Sequence, residues 1–149
     1  MPISQTLVDE GFTVSGVDAS ATMISAFRAQ FPDAPAEHSE VQDSQFFGRQ
    51  FDGVIAWGLM FLLTGAAQAK VIQKVAAALE PGGKFLFTAR QQECEWSDNL
   101  TRQTSRSLGS DAYRRLMKSA RLIVEDETDD EGQNHYFFVR KPDNGDGAV

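Results

Sequence analysis

Two apolar runs, Phe51-Asp-Gly-Val-Ile-Ala-Trp57 and Lys84-Phe-Leu-Phe-Thr88, flank a stretch whose apolar residues recur at helical spacing. Val71, Ile72, Val75, Ala78 and Leu79 fall on one side of a helix that Thr64 opens and Pro81-Gly82-Gly83 terminates. Strand, helix and strand in this order make a βαβ unit, whose crossover requires the two strands to run parallel. The first of them is apolar enough to be covered on both faces, as central parallel strands are. A chain committed to this unit is an α/β protein with a mostly parallel sheet, and ligands of such proteins bind outside the carboxyl ends of the strands. Trp57 stands at one such end, and the following Leu59-Met-Phe-Leu-Leu63 either floors a pocket or belongs to the core.

A second strand end lies in Val14-Ser-Gly-Val-Asp-Ala-Ser-Ala-Thr-Met-Ile24. Phe12 to Val17 reads as a strand that stops at Asp18, and Ser20 caps a helix with Met23, Ile24, Phe27 and Phe31 on one face until Pro32 ends it. Two roles fit Asp18. Its carboxylate accepts hydrogen bonds in pairs, which suits the vicinal hydroxyls of a ribose; it also suits a helix N-terminus. Upstream, Pro2 to Glu10 reads as a helix with Gly11 at its end. Downstream, Ala36 to Val41 forms a weak edge strand before a polar connection, Gln42 to Gln50.

From Arg90 to Gly109 the composition turns polar and predicts an exposed loop holding some helix. Ser110 then caps a helix carrying Tyr113, Leu116, Met117 and Ala120. Leu122 to Glu127 and His135 to Arg140 read as an antiparallel hairpin around a solvated acidic turn, Asp126 to Gly132. His135 and Tyr136 are weak catalytic candidates at the start of its second strand, and Arg90 is placed to orient an acidic substrate group. The expected organisation is one domain, 1–141, and a flexible tail, 142–149.

At 149 residues with 42% hydrophobic content the chain can bury one core. Its formal charge of −7 argues against nucleic acid as partner, because phosphate contacts need clustered Lys and Arg. Cys94 stands alone, which excludes an internal disulfide and suits the cytoplasm, and two histidines supply no zinc-type cluster. The longest apolar run, Val54 to Leu63, has half of the roughly 20 residues a membrane-spanning helix needs.

The series GFTVSGVDASATMISAFRAQFPDA, FDGVIAWGLMFLL and ALEPGGKFLFTA resembles the class I S-adenosylmethionine-dependent methyltransferases, from Pro2 through the hairpin. The resemblance implies a Rossmann-like methyltransferase fold with a C-terminal antiparallel hairpin and S-adenosylmethionine as cofactor. It implies cofactor contacts from Asp18 and Ala19 at the ribose, Met23 against the adenine, Glu40 and Val41 at the adenine edge, and Trp57 and Gly58 at the methionine end. Methyl transfer to a small-molecule acceptor follows as the expected activity. The family's first strand and glycine-rich loop, which would precede Pro2, are not found, so the chain reads as truncated with two strand edges left open. That departure supports an alternative, a non-catalytic remnant that binds or forms a homodimer through the opened sheet. Another nucleotide-binding enzyme such as a dehydrogenase fits the Pro81-Gly82-Gly83 turn and terminal hairpin less well.

Overall fold

Helix α1 (Pro2–Asp9) starts at the proline, which lacks an N–H that a first turn would leave unpaired, and ends before Gly11, whose φ of +92° suits glycine. Strand β1 (Gly16–Asp18), helix α2 (Ala21–Gln30) and strand β2 (Ala36–His38) follow. The computed structural model describes residues 2–56, 59–97, 104–131 and 134–143. These fall into two compact units, Met1–Gly48 and Arg49–Val149.

In the first unit β1 and β2 pair in parallel, from Gly16 opposite Ala36 to Asp18 opposite His38. The strand expected from Phe12 is shorter because its partner among the described residues offers three rungs, and Phe12 is left 59% exposed. Helix α2 buries Ile24 and Phe27, its C-cap Phe31 is buried too, and the rings of Phe27 and Phe31 meet at 5.2 Å. Glycine at position 16 allows this packing, since a Cβ there would sit 3.2 Å from the Phe27 ring. Met23, expected on the same face, is 46% exposed instead. The expected edge strand stops at His38, and the polar connection folds into two short helical turns, Val41–Asp43 and Phe46–Gly48.

The second unit begins with β3 (Phe51–Ala56), a short turn at Met60–Leu62, helix α3 (Gly65–Ala78) and β4 (Leu79–Ala89). Thr64 caps α3 as expected, its hydroxyl accepting from the Ala67 N–H at 3.2 Å. Val71, Ile72, Val75 and Ala78 are buried. The helix ends before the Pro81-Gly82-Gly83 turn that was expected to stop it, because the fully buried Leu79 is already extended and pairs with Phe51. The turn is instead an irregularity inside β4, after which Lys84 to Phe87 pair in parallel with Gly53 to Ala56. Gly83 fits there because a Cβ would meet the Glu80 carbonyl oxygen at 2.8 Å. Strand β3 is covered on one side rather than both: Ala56 is buried while Gly53 and Ile55 are exposed.

The segment expected as a loop is a hairpin, β5 (Glu93–Ser97) with β6 (Thr104–Leu108). Its inward positions are Cys94 and Trp96 opposite Ser107 and Ser105, so the alternation is carried by serines and does not register as hydrophobic. Helix α4 (Ser110–Ser119) follows, with Gly109 at the N-cap; Ser110 is the first helical residue, and its hydroxyl makes no hydrogen bond. Strands β7 (Ile123–Asp129) and β8 (His135–Arg140) pair antiparallel, and the sheet order is β3-β4-β8-β7. Most of the expected acidic turn is therefore strand, with Asp126 to Asp129 in β7.

One face of this sheet holds the core. Phe87 and Phe137 stack at 4.6 Å, and Tyr113 of α4 packs edge-on against both. The Tyr113 hydroxyl donates to Gln68 Oε1 at 2.6 Å and accepts from the Leu108 N–H, while Gln68 Nε2 donates to the Leu63 and Arg106 carbonyls. Burial pushes the Tyr113 phenol above its ordinary pKa, so it remains a donor. This buried knot ties α3, α4 and β6 together. No helix among the described residues is long and apolar enough to cross a membrane.

Candidate functional site

The carboxyl ends of β1 and β2 come together in register at Asp18 and His38. Two bonds fasten the chain beyond them: the Ser39 N–H donates to the Asp18 carbonyl at 2.9 Å, and His38 Nε2 meets the Ala19 carbonyl at 2.8 Å. Asp18 does not cap α2. Ser20 does, accepting from the Met23 N–H at 3.2 Å. Asp18 Oδ1 accepts from the Ser20 N–H at 2.8 Å, which fixes the carboxylate in a tight turn, and its other oxygen has no partner among the described residues.

Glu40 and Val41 lie two and three residues beyond β2 at the same end. The Glu40 carbonyl accepts from Ser39 Oγ and from the Asp43 N–H, but its carboxylate and the Val41 N–H make no hydrogen bond among the described residues. One end of this small sheet thus presents two carboxylates, a backbone donor and the exposed Met23. Trp57 and Gly58, the remaining residues expected to meet a cofactor, lie outside the described residues.

In the second unit, the carboxyl end of β4 runs into Arg90, whose carbonyl accepts from Ser107 Oγ at 2.6 Å. The Arg90 guanidinium lies over the Trp96 ring at 3.9 Å, and Phe61 packs against Trp96 at 5.6 Å. Trp96 went unnoticed in the sequence because its strand was not recognised. Around the N-terminus of α4 a cavity of about 560 Å³ opens, lined by Glu93 and Asp111 as well as Arg114 and Arg115. Its lining is balanced in charge.

His135 and Tyr136 are both engaged. His135 is buried, with Nδ1 2.6 Å from Asp129 Oδ1 and Nε2 2.7 Å from Glu127 Oε1. The side-chain amide of Gln91 also lies 3.3 Å from Nδ1. Arg114 grips Glu127 through Nε and Nη2 at 2.8 and 2.9 Å and holds its carboxyl below the usual range, with His135 adding to the effect. The Tyr136 hydroxyl donates to Asp130 Oδ2 at 2.5 Å, and that bond raises its pKa.

The sequence matches the family model described as "Methyltransferase domain" over residues 2–83, more than half of the chain. No curated protein matches the sequence. Among solved structures, it is similar to the 1,6-didemethyltoxoflavin-N1-methyltransferase of Burkholderia thailandensis, crystallised with 1,6-didemethyltoxoflavin and S-adenosylhomocysteine. The TM-score is 0.77 at 15% identity, covering 94% of this chain and 66%, just under two thirds, of that enzyme. An S-adenosylmethionine-dependent methyltransferase from Clostridium acetobutylicum gives 0.76 at 13%, covering 94% and 79%. The PH0226 protein of Pyrococcus horikoshii gives 0.75 at 21%, covering 94% and 76%. The matched sequence and the shared architecture agree, and the chain belongs to the methyltransferase-domain family, with the Rossmann-like fold of the class I S-adenosylmethionine-dependent enzymes.

Proposed function

We propose that this chain transfers a methyl group from S-adenosylmethionine to a small-molecule acceptor. The observation that carries this reading is the half-used Asp18: a carboxylate fixed at a strand end by the Ser20 N–H, with its second oxygen unpartnered among the described residues and the capping task done by Ser20. The groups left unpartnered among the described residues fit the cofactor's nucleoside. Asp18, beside Ala19, holds the ribose hydroxyls, Met23 covers the adenine, and Glu40 and the Val41 N–H take its polar edge, with Trp57 and Gly58 assigned to the methionine end by family resemblance. When bound, S-adenosylmethionine supplies a methyl on a sulfonium, already a good leaving group.

The residues of this chain then bind and orient. Both His135 nitrogens are already engaged by carboxylates, and the Tyr136 proton is directed at Asp130. These two residues shape the hairpin rather than abstract a proton, and catalysis rests on proximity and a dry site. In this reading residues 1–141 form one functional domain in the cytoplasm.

Calorimetric titration with S-adenosylhomocysteine tests the proposal. Saturable binding that Asp18→Ala weakens is expected; no heat from a folded sample overturns it. A second reading, a non-catalytic module that dimerises, is favoured by the edges of β1 and β3, each paired on one side among the described residues. Light scattering that finds a dimer in a sample unable to bind S-adenosylhomocysteine would select it.

A further inference from the structure

Three described arginines are half-buried: Arg90, Arg106 and Arg140. Arg106 meets Glu95 at 3.6 Å and Arg140 meets Glu125 at 3.4 Å. Arg90 meets no carboxylate among the described residues, although the chain carries 21 acidic residues against 14 basic ones. A partly desolvated guanidinium is normally paired, because losing water without gaining an acceptor is costly. What holds Arg90 is the face of Trp96, 3.9 Å from its central carbon, which restrains the plane, while the N–H edges meet no acceptor among the described residues.

The surroundings supply the rest of a recognition site. Ser107 Oγ fixes the Arg90 backbone at 2.6 Å, so the side chain springs from a rigid point at the carboxyl end of β4. Phe61 packs on Trp96 at 5.6 Å, and its neighbour Leu62 is 49% exposed. Guanidinium edges beside the rings of Trp96 and Phe61 match a molecule with an oxyanion at one end and an apolar body at the other.

We propose that Arg90, held on Trp96, reads a carboxylate or phosphate of the methyl acceptor while Phe61 and Leu62 contact its apolar body. This deepens the methyltransferase reading and rests on it for the word acceptor; the anion site itself is tested without any cofactor. Arg90 is a specificity-determining residue with no part in moving a proton.

The test uses the full chain and three probes that share a phenyl ring, benzoate, phenyl phosphate and the neutral benzamide, titrated by ligand-observed NMR. Benzoate or phenyl phosphate is expected to bind at least about tenfold more tightly than benzamide, the stronger of the two naming the oxyanion. Arg90→Gln should remove that preference, and Arg90→Lys, which keeps the charge but not the planar fork, should restore only part of it. Circular dichroism confirms that each variant folds. Equal binding of charged and neutral probes, no binding by any, or an unchanged preference in Arg90→Gln overturns the proposal. S-adenosylhomocysteine titrated into the same samples reads the methyltransferase assignment separately, because both Arg90 variants retain Asp18.

Discussion

Two polar clusters stand at strand ends and differ in what they leave open. At the start of β8, His135, Glu127, Asp129 and Arg114 bond one another, and Gln91 and Asp111 take up further hydrogen-bonding capacity at the edges of the network. At the end of β1, Asp18 uses one oxygen for the Ser20 N–H and keeps the other, while the Glu40 carboxylate and the Val41 N–H stay unpaired among the described residues. A closed network adds stability because every buried member is satisfied. An open one adds little to folding and holds its capacity for a ligand. The difference separates scaffold from site more sharply than residue type does, since both clusters are built around acids.

The sharpest break in that comparison is His135→Ala. It empties a buried position against Phe137 and leaves Glu127 and Asp129 without their shared donor, and about 3 kcal/mol of unfolding free energy should be lost in urea titration. Binding of S-adenosylhomocysteine by the folded fraction should be unchanged. Asp18→Ala should do the reverse. Its loss of charged hydrogen bonds should weaken S-adenosylhomocysteine by about 1.5 to 3 kcal/mol, while the urea midpoint moves far less. If Asp18→Ala unfolds the protein as His135→Ala does, the open cluster is scaffold after all.

Much of the fold was written in local pattern. The βαβ unit from Phe51 to Thr88 and the β1 to α2 junction follow from apolar periodicity and from Ser20 and Thr64 at the helix starts. Where pairing depends on polar residues, sequence reading loses sight of it. The β5-β6 hairpin hides its inward face in Ser105 and Ser107, so Trp96 and its contact with Arg90 stayed out of view. The acids of β7 look like a solvated tip because nothing local shows that Arg114, on α4, and His135, on β8, will bond them. Gly109 took the N-cap that Ser110 was expected to fill, since serine is favoured there but the chain enters α4 with φ of +88°. At the candidate site Asp18 was legible, yet its distinction from a helix cap needed the Ser20 bond.

Acid sharpens the comparison from the other side. Arg114 and His135 depress the Glu127 pKa below its ordinary 4.5, so the folded state binds this proton more weakly than the unfolded chain. The stability it contributes is therefore fully present above the usual carboxylate range and is lost as pH falls through the depressed value. Glu127→Gln should cost about 1 to 1.5 kcal/mol at neutral pH, a figure reduced because Arg114 is half exposed, and should flatten the acid limb of a urea-midpoint series. An unchanged acid limb would show that the closed network does not govern acid unfolding.

The smallest effect isolates the cap from the site. Ser20 accepts from Met23 and donates its own N–H to Asp18, so its hydroxyl serves α2 while its backbone serves the carboxylate. Ser20→Ala removes only the first task and should cost about 1 kcal/mol of stability. The Ser20 N–H is retained, Asp18 stays where it is, and S-adenosylhomocysteine affinity should be within twofold of the parent, a tolerance of about 0.4 kcal/mol. A large loss of affinity would mean that the first turn of α2, rather than Asp18 itself, sets the geometry of the cofactor site.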